Sequence, residues 1–342
     1  MMRRRLAQRQ LVLAAKNLPF ARRLWHGVAK PVLRLVLDSH WAIEREIQHY
    51  EATFPRILRI EGSNGCNAAC WFCPYPSMER TKALMPMPLY QRLIDEFASL
   101  GGGDLVFPTG VGEPFADPYL FERLTYARSK REIRKITLIT NASLLDAKRT
   151  ERVLASRVSR LRISFHGGNR QADYEQIFQL PYEKARQNVL RFLEANAKAG
   201  CPVEVEIYMY VTDEPGQVRR EELVKTFERL GASVGIDPIR EIHNWGGDIE
   251  APRTIDQQIK QLPCSRLWRE FSVLANGDVV KCCIDYEGKE VLGNVARDSL
   301  KAVWDGPTHR DTRDLHRAGR AVEVPLCKTC TLHSTWWKHE RD

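Results

Sequence analysis

Residues 56–74 read Arg-Ile-Leu-Arg-Ile-Glu-Gly-Ser-Asn-Gly-Cys-Asn-Ala-Ala-Cys-Trp-Phe-Cys-Pro. The first six alternate between apolar and polar with a period of two, the pattern of a half-buried strand. The loop that follows places Cys66, Cys70 and Cys73 in a Cys-x3-Cys-x2-Cys run with no fourth cysteine nearby. A structural zinc site wants four closed ligands, often as Cys-x2-Cys pairs. Fully protein-ligated iron–sulfur clusters also use four thiolates. Three thiolates can hold three irons of a [4Fe–4S] cluster and leave the fourth iron open to another ligand. The competing readings are a zinc knob and a chance cluster of buried thiols.

Working outward, strand and helix patterns alternate. Helices are expected over 89–100, 119–130, 145–155, 182–199 and 221–230, and strands over 104–108, 133–140, 161–165, 203–211 and 233–239. Gly101-Gly102-Gly103 is a strong helix stop. Six β/α units in regular order predict a parallel sheet with helices outside it. Barrel-like α/β folds carry their chemistry on the loops after the strands. The cysteine loop, Gly112-Glu113-Pro114, Asn141 and His166 all fall there. Cys201 opens the fifth strand at the opposite end, and is expected to be buried structure.

From about residue 255 the pattern changes. Asn276-Gly277 between two short apolar runs is a hairpin signal. The hairpin is expected to bring Cys264 and Cys282 together, with Cys327 and Cys330 arriving from a later helix and loop. These four make a complete thiolate set, for an iron–sulfur cluster or for zinc. Only one half of the set is a Cys-x2-Cys pair, which argues against zinc. Cys283 adjoins a candidate ligand, and its readings are a hydrogen-atom donor, an alternate ligand or plain packing. The expected division is a basic helical extension over 1–54, a core over 55–250 and a cluster domain over 251–342.

The chain has 342 residues, nine cysteines and a net charge of +9. The charge is local. Residues 1–40 hold nine Lys or Arg against Asp38 alone, and the other 302 residues carry only +1. This distribution argues against nucleic acid as a partner. A basic, apolar, Trp-bearing segment can lie on an anionic membrane surface or dock a partner, and it can equally be a helical extension or arm. No run of 18 apolar residues exists to span a bilayer, and no secretory signal is evident. Clustered cysteines in a chain of this kind read as cytoplasmic metal ligands rather than disulfides.

The Cys66/Cys70/Cys73 spacing, with Phe72 before the last cysteine, resembles the signature of radical S-adenosylmethionine (SAM) enzymes. The Cys264…Cys282…Cys327-x2-Cys330 pattern resembles the C-terminal SPASM and twitch domains, which hold auxiliary iron–sulfur clusters. The tail after Cys330 has no further cysteine, which favours the twitch type with one [4Fe–4S] cluster. The resemblance covers about residues 55–335 and implies a partial (β/α)6 TIM-like barrel with a small C-terminal auxiliary-cluster domain. It implies SAM bound at the open iron and cleaved reductively to a 5′-deoxyadenosyl radical. An electron donor of the flavodoxin or reductase type is then implied as a partner.

The same resemblance makes Gly112 and Glu113 the SAM-amine motif, although Val111 stands where the family has a further glycine. Phe72 would meet the adenine, and Asn141 and Ser164 the ribose. Candidate side chains at the barrel mouth are His166, Tyr208, Tyr210, Arg240 and His243, with Arg240 or His243 handling a proton. The nearest resemblance is to dehydrogenases and epimerases of sugars and aminocyclitols. A small polyhydroxylated substrate is therefore expected, with Cys283 as hydrogen donor if the outcome is epimerisation. The alternatives are radical modification of a peptide and a non-enzymatic zinc protein.

Overall fold

The computed structural model describes residues 40–255 and 257–334. The basic segment 1–39 and the tail 335–342 lie outside the described residues, so the expectation of membrane or partner docking falls outside them too. Chain contacts set residues Thr53–His333 apart as one compact unit, and the described residues 40–52 fall in a smaller second one. In the smaller unit the helix His40–Glu51 carries Ile43 and Ile47, four residues apart and both buried.

The larger unit is built on one nine-stranded sheet. Its strands are β1 Ile57–Ile60, β2 Gly103–Phe107, β3 Ile133–Thr140, β4 Arg160–Ser164, β5 Glu204–Val211, β6 Ser233–Pro238, β7 Glu270–Val273, β8 Asp278–Val280 and β9 Val291–Asn294. The order is β6-β5-β4-β3-β2-β1-β7-β8-β9. The first six strands are parallel and sequential, as a partial (β/α)6 barrel requires. β7 joins β1 in parallel, and β8 and β9 continue antiparallel. The expected hairpin is therefore present and extends the core sheet itself.

The two faces of the parallel strands differ in chemistry because successive side chains point to opposite faces. One face carries Leu58, Leu105, Phe107, Leu138, Leu161, Ile163, Val205, Ile207 and Met209, all buried. These pack in one core with Phe97, Leu124, Val189, Phe192 and Phe227 of the surrounding helices. The other face carries Arg162, Ser164, Glu206, Tyr208, Tyr210 and Asp237, all half-buried. Closed barrels fill this face with bulky branched residues. Here it is polar, and Arg162 pairs with Glu206 at 2.9 Å.

Within the core the structure adds the two-turn helix Gln171–Phe178 to the expected set, besides the single turn Pro215–Val218, and it corrects Cys201. The added helix ends on Gln179 in the left-handed region (φ 55°) rather than on a glycine, so the usual stop signal is missing from the sequence. Cys201 is exposed, at φ 57°. The turn after helix Tyr182–Lys198 runs through it, and β5 starts three residues later.

Trp304 anchors the packing where β7 meets the core. It is fully buried, 5.8 Å from the Phe54 ring and 6.4 Å from Phe271, with the Arg313 guanidinium 4.1 Å from its own ring centroid. Trp304→Ala is expected to cost about 3–5 kcal/mol, typical for emptying a large buried aromatic site. Denaturant unfolding of wild type and variant measures this.

Candidate active site and auxiliary cluster site

The loop carrying Cys66, Cys70 and Cys73 leaves the C-terminal end of β1 and is held by backbone contacts from several elements. Glu113 N–H donates to the Gly65 carbonyl at 2.8 Å, and Met85 N–H to the Gly62 carbonyl at 2.9 Å. Ala69 N–H donates to the Phe178 carbonyl at 3.1 Å. Gln179 Nε2 returns a hydrogen bond to the Ala69 carbonyl at 3.2 Å. The added helix thus serves to fix the cysteine loop. Gly112 sits at φ +115°, and a Cβ there would lie 2.9 Å from the Ser63 carbonyl oxygen. Only glycine lets the β2 loop approach the cysteine loop this closely.

The three cysteines are half-buried. Burial pushes Cys66 up to about 11 and Cys73 up to about 12. Cys70 rises too, from burial and then from the nearby Cys73 and Cys66 charges. The trio is thus a set of neighbouring thiols whose ionised forms disfavour each other. A cationic iron cluster satisfies such a set, since metal binding replaces the thiol protons.

Glu113 is buried and lies near enough to Cys66 to raise its pKa. Its Oε1 accepts from Thr140 Oγ1 at 2.6 Å and from Phe115 N at 3.2 Å, and its Oε2 accepts from Asn141 N at 2.8 Å. Burial pushes this carboxyl up to about 7 against those hydrogen bonds. A carboxylate offers about four lone-pair sites, so three bonds leave capacity for a ligand amine. Asn141 Nδ2 donates to Asn67 Oδ1 at 3.1 Å, and Asn67 Nδ2 donates to Ser143 Oγ at 2.8 Å. Asn188 holds the carbonyls of Ala142 and Ser143, each at 3.0 Å. Asn141 is therefore tied to the cysteine motif itself, through Asn67.

The barrel mouth brings Phe72, His166, Tyr208 and Tyr210 together. The His166 ring lies 5.3 Å from Phe72, 4.9 Å from Tyr210 and 5.9 Å from Tyr208, and stacks on Phe178. Its Nδ1 accepts from Tyr210 N–H at 3.0 Å. Burial holds its pKa down, to about 3, so the ring is neutral at neutral pH. Ser164 sits beside Tyr208 in register. Asp237, which the sequence reading missed, accepts a hydrogen bond from the Tyr208 hydroxyl. Its signal was its inward register position opposite Tyr210 on β6.

The other candidates sit differently. Arg240 is exposed on the short turn Ile239–Glu241 after β6. His243 lies 5.0 Å from the Trp245 ring, and burial, then the Arg266 and Arg253 charges, hold its pKa down, to about 4. Cys283 lies against the β2 loop, because a Cβ at Gly110 would meet its carbonyl oxygen at 2.6 Å. Arg266 Nη1 is 3.8 Å from the Cys283 sulfur. Arg266 also pairs with Glu270, as does Arg59 at 2.6 Å. The Arg59 member of this buried cation–carboxylate chain lies 211 positions from Glu270 and so carries no local sequence signal.

Cys264, Cys282, Cys327 and Cys330 line a single pocket, together with Ile284, Leu326 and His333. Cys264 precedes β7, Cys282 follows β8, Cys327 lies in the short helix Pro325–Lys328, and Cys330 lies in the loop after it. Four thiols around a largely apolar pocket make a full thiolate set of the kind that iron–sulfur clusters use.

Comparison with known proteins agrees with this geometry. The profile of the Radical SAM superfamily matches residues 60–230, and that of SPASM, an iron–sulfur cluster-binding domain, matches residues 264–331. The chain is 21% identical to the S-adenosyl-L-methionine-dependent 2-deoxy-scyllo-inosamine dehydrogenase of Niallia circulans, over 84% of this chain and 96% of that protein. It is 29% identical to the AdoMet-dependent heme synthase of Methanosarcina barkeri (strain Fusaro / DSM 804), over 52% of this chain and 48% of that protein. Among solved structures, BtrN in complex with AdoMet and 2-DOIA superposes with a TM-score of 0.58 at 18% identity, covering 81% of this chain and 93% of that one. Streptococcus suis SuiB bound to precursor peptide SuiA gives 0.57 at 16% identity, covering 79% and 70%.

Two outcomes are expected from the site. Cys66→Ala with Cys70→Ala and Cys73→Ala should abolish 5′-deoxyadenosine formation and remove about half of the roughly eight irons that two [4Fe–4S] clusters supply. Iron and sulfide assays with chromatography of 5′-deoxyadenosine measure both. The second outcome concerns pH. Because His166 is lowered from 6.5, its contribution to stability is complete well above pH 6.5 and falls as pH drops towards about 3, by roughly 1 kcal/mol at pH 5.5. His166→Gln keeps an acceptor for Tyr210 and should lose that part of the pH dependence in denaturant unfolding between pH 5.5 and 7.5.

The protein belongs to the radical SAM superfamily, with a C-terminal SPASM domain, and as such uses S-adenosylmethionine, a [4Fe–4S] cluster and an auxiliary cluster.

Proposed function

We propose that the enzyme oxidises a hydroxylated carbon of a small polyhydroxylated molecule, of the sugar or aminocyclitol kind, to a ketone. The supporting observation is the four-cysteine pocket built onto the same sheet as the barrel, with Cys283, next in sequence to its Cys282, against the β2 loop. The Niallia circulans relative, aligned over nearly its whole length, is named as a dehydrogenase of 2-deoxy-scyllo-inosamine. Epimerisation is the related outcome, and there Cys283 would return a hydrogen atom.

When bound, the open-iron cluster with SAM supplies a hydrogen-abstracting radical, and the auxiliary cluster supplies an electron acceptor. Cys66, Cys70 and Cys73 hold the first group, and Cys264, Cys282, Cys327 and Cys330 hold the second as one cluster. Glu113 receives the SAM amine, and Phe72 flanks the adenine. Asn141 and Ser164 lie where the ribose would be met. His166 and Tyr210 are neutral walls that orient the substrate and exclude water. Asp237, with the Tyr208 hydroxyl on it, takes the hydroxyl proton as the substrate carbon is oxidised. His243 and the exposed Arg240 are substrate contacts at the rim. A flavodoxin-type reductant starts the reaction. We assign the core to residues 55–250 and the cluster domain to 251–342. The basic segment is a candidate surface for a membrane or partner. Among the described residues no helix is long and apolar enough to cross a membrane.

Mass spectrometry on aminocyclitols and amino sugars, with anaerobically reconstituted enzyme, tests the reading. Loss of two hydrogens supports it, and an unchanged mass with solvent deuterium uptake indicates epimerisation. Reaction only with peptides overturns it. Asp237→Asn should lower ketone formation by roughly 10²–10⁴-fold, the range for a positioned general base, while SAM cleavage continues. For a dehydrogenase, Cys283→Ala leaves the ketone yield intact.

A further inference from the structure

The turn Asn244–Gly247 connects the two cysteine sets. Asn244 N–H donates to Thr331 Oγ1 at 3.0 Å, and its Nδ2 donates to the Thr329 carbonyl at 2.8 Å. Its Oδ1 accepts from Thr331 N–H at 3.0 Å. Thr329 Oγ1 donates to the Gly246 carbonyl at 2.6 Å. The turn is thereby clamped to the loop that carries Cys327 and Cys330. Gly246 and Gly247 have positive φ, and a Cβ on them would lie 2.9 Å from Leu326 and 2.5 Å from Thr329.

Trp245 occupies the left-handed region at φ 49°. For a bulky side chain such a conformation is strained and persists only where surroundings enforce it. The strain places the indole between the two sites. Its Nε1–H donates to the Phe72 carbonyl at 3.0 Å, and Phe72 directly precedes Cys73. Its ring packs on the apolar group of Ile284, Leu326 and Cys330, all of which line the auxiliary cavity.

We propose that Trp245 is the electron bridge between the two clusters. This rests on the dehydrogenase reading above. The route runs from Cys73 through the Phe72 peptide, across the hydrogen bond into the indole, and on to the Cys330 wall of the cavity. Bonded and hydrogen-bonded paths carry an electron better than a gap of the same length.

The chemistry balances through this route. One electron is consumed when the SAM carbon–sulfur bond breaks to methionine and the adenosyl radical. That radical takes hydrogen from the H–C–O–H carbon, giving 5′-deoxyadenosine and a substrate radical. The substrate radical yields the ketone, one proton and one electron. The electron is accepted at the auxiliary cluster and returned through Trp245 to the first cluster. The net reaction consumes SAM and alcohol and releases methionine, 5′-deoxyadenosine, ketone and a proton. One reducing equivalent therefore supports many turnovers.

The test uses Trp245→Phe, which keeps a ring but loses the donor, and Trp245→Leu, which loses both. Without substrate, a sub-stoichiometric dithionite pulse followed by freeze-quench paramagnetic resonance reports how fast the unpaired spin redistributes between the clusters. Redistribution should slow several-fold in Trp245→Phe and further in Trp245→Leu, at unchanged iron content for the Phe variant. A wild-type rate in Trp245→Phe, or in an iron-replete Trp245→Leu, overturns the bridge. If Trp245→Leu loses iron, the Phe variant alone decides. With substrate and limiting dithionite, wild type should form many ketones per electron and Trp245→Leu no more than one, and equal yields overturn the bridge. Absence of ketone from wild type with every substrate would sink the dehydrogenase reading instead, and the substrate-free measurement would still decide the bridge.

Discussion

The thiols of this protein stand in two sets, Cys66/Cys70/Cys73 and Cys264/Cys282/Cys327/Cys330, and six of these seven sit where ionisation is disfavoured. Burial pushes Cys66, Cys73 and Cys330 to about 11 or 12, and raises Cys327 well above its ordinary value. In each set, neighbouring sulfur charges add to the effect. Thiolates are what bind iron, so loading must expel protons against this gradient, and metal affinity is thereby tied to the folded scaffold. The scaffold answers with contacts that do not involve the sulfurs. Gly65, Gly62 and Ala69 are held through backbone groups, and the Cys327–Cys330 loop is held by Asn244 and by Lys260, whose ammonium donates to the carbonyl of Lys328 at 2.7 Å.

The division of the sheet into an apolar and a polar face decides where chemistry can occur. The apolar face is sealed by helices and supplies the hydrophobic stabilisation. The polar face stays half-buried, because Arg162, Glu206, Tyr208 and Asp237 need partners or water. At the C-terminal ends of the strands this face becomes the mouth lined by Phe72, His166 and Tyr210. The four-cysteine pocket lies on the same sheet as that mouth because β7 pairs with β1, the strand that feeds the Cys66 loop. The two cysteine sets are thus brought onto one sheet by its topology.

What the sequence revealed and what it hid have separate physical causes. Both cysteine sets and all six core strands were legible, because spacing and period-two alternation are local properties. Gly112-Glu113 was legible as a motif, yet the reason for the glycine, the approach to Ser63, is a tertiary fact. Asn67 and Ser143 stayed hidden, since a side-chain network across three loops has no sequence period. Asp237 was hidden at the end of β6, where alternation runs into Pro238. The helix Gln171–Phe178 was hidden by its left-handed Gln179 terminus, and Trp245 by a turn conformation that aromatic residues seldom adopt. Cys201 misled because a turn, rather than the strand, claims it.

The pairing of β7 with β1 joins residues more than two hundred positions apart, so no hairpin geometry sets its register. Side chains must do so. Arg59 on β1 donates Nε to Glu270 on β7 at 2.6 Å and Nη2 at 3.1 Å, and Arg266 meets the same carboxylate at 3.2 Å. A buried pair of this kind is weak evidence for net stability, but separating it leaves a buried charge uncompensated, at about 3–5 kcal/mol. A slip of one residue would turn Glu270 towards the side that holds Leu58 and Leu105, away from Arg59. The ion pair therefore discriminates strongly between registers while contributing little to the total. That discrimination is what the site needs, because each residue of slip along β7 would move Cys264 and Cys282 by about 3.3 Å relative to the cysteine loop of β1.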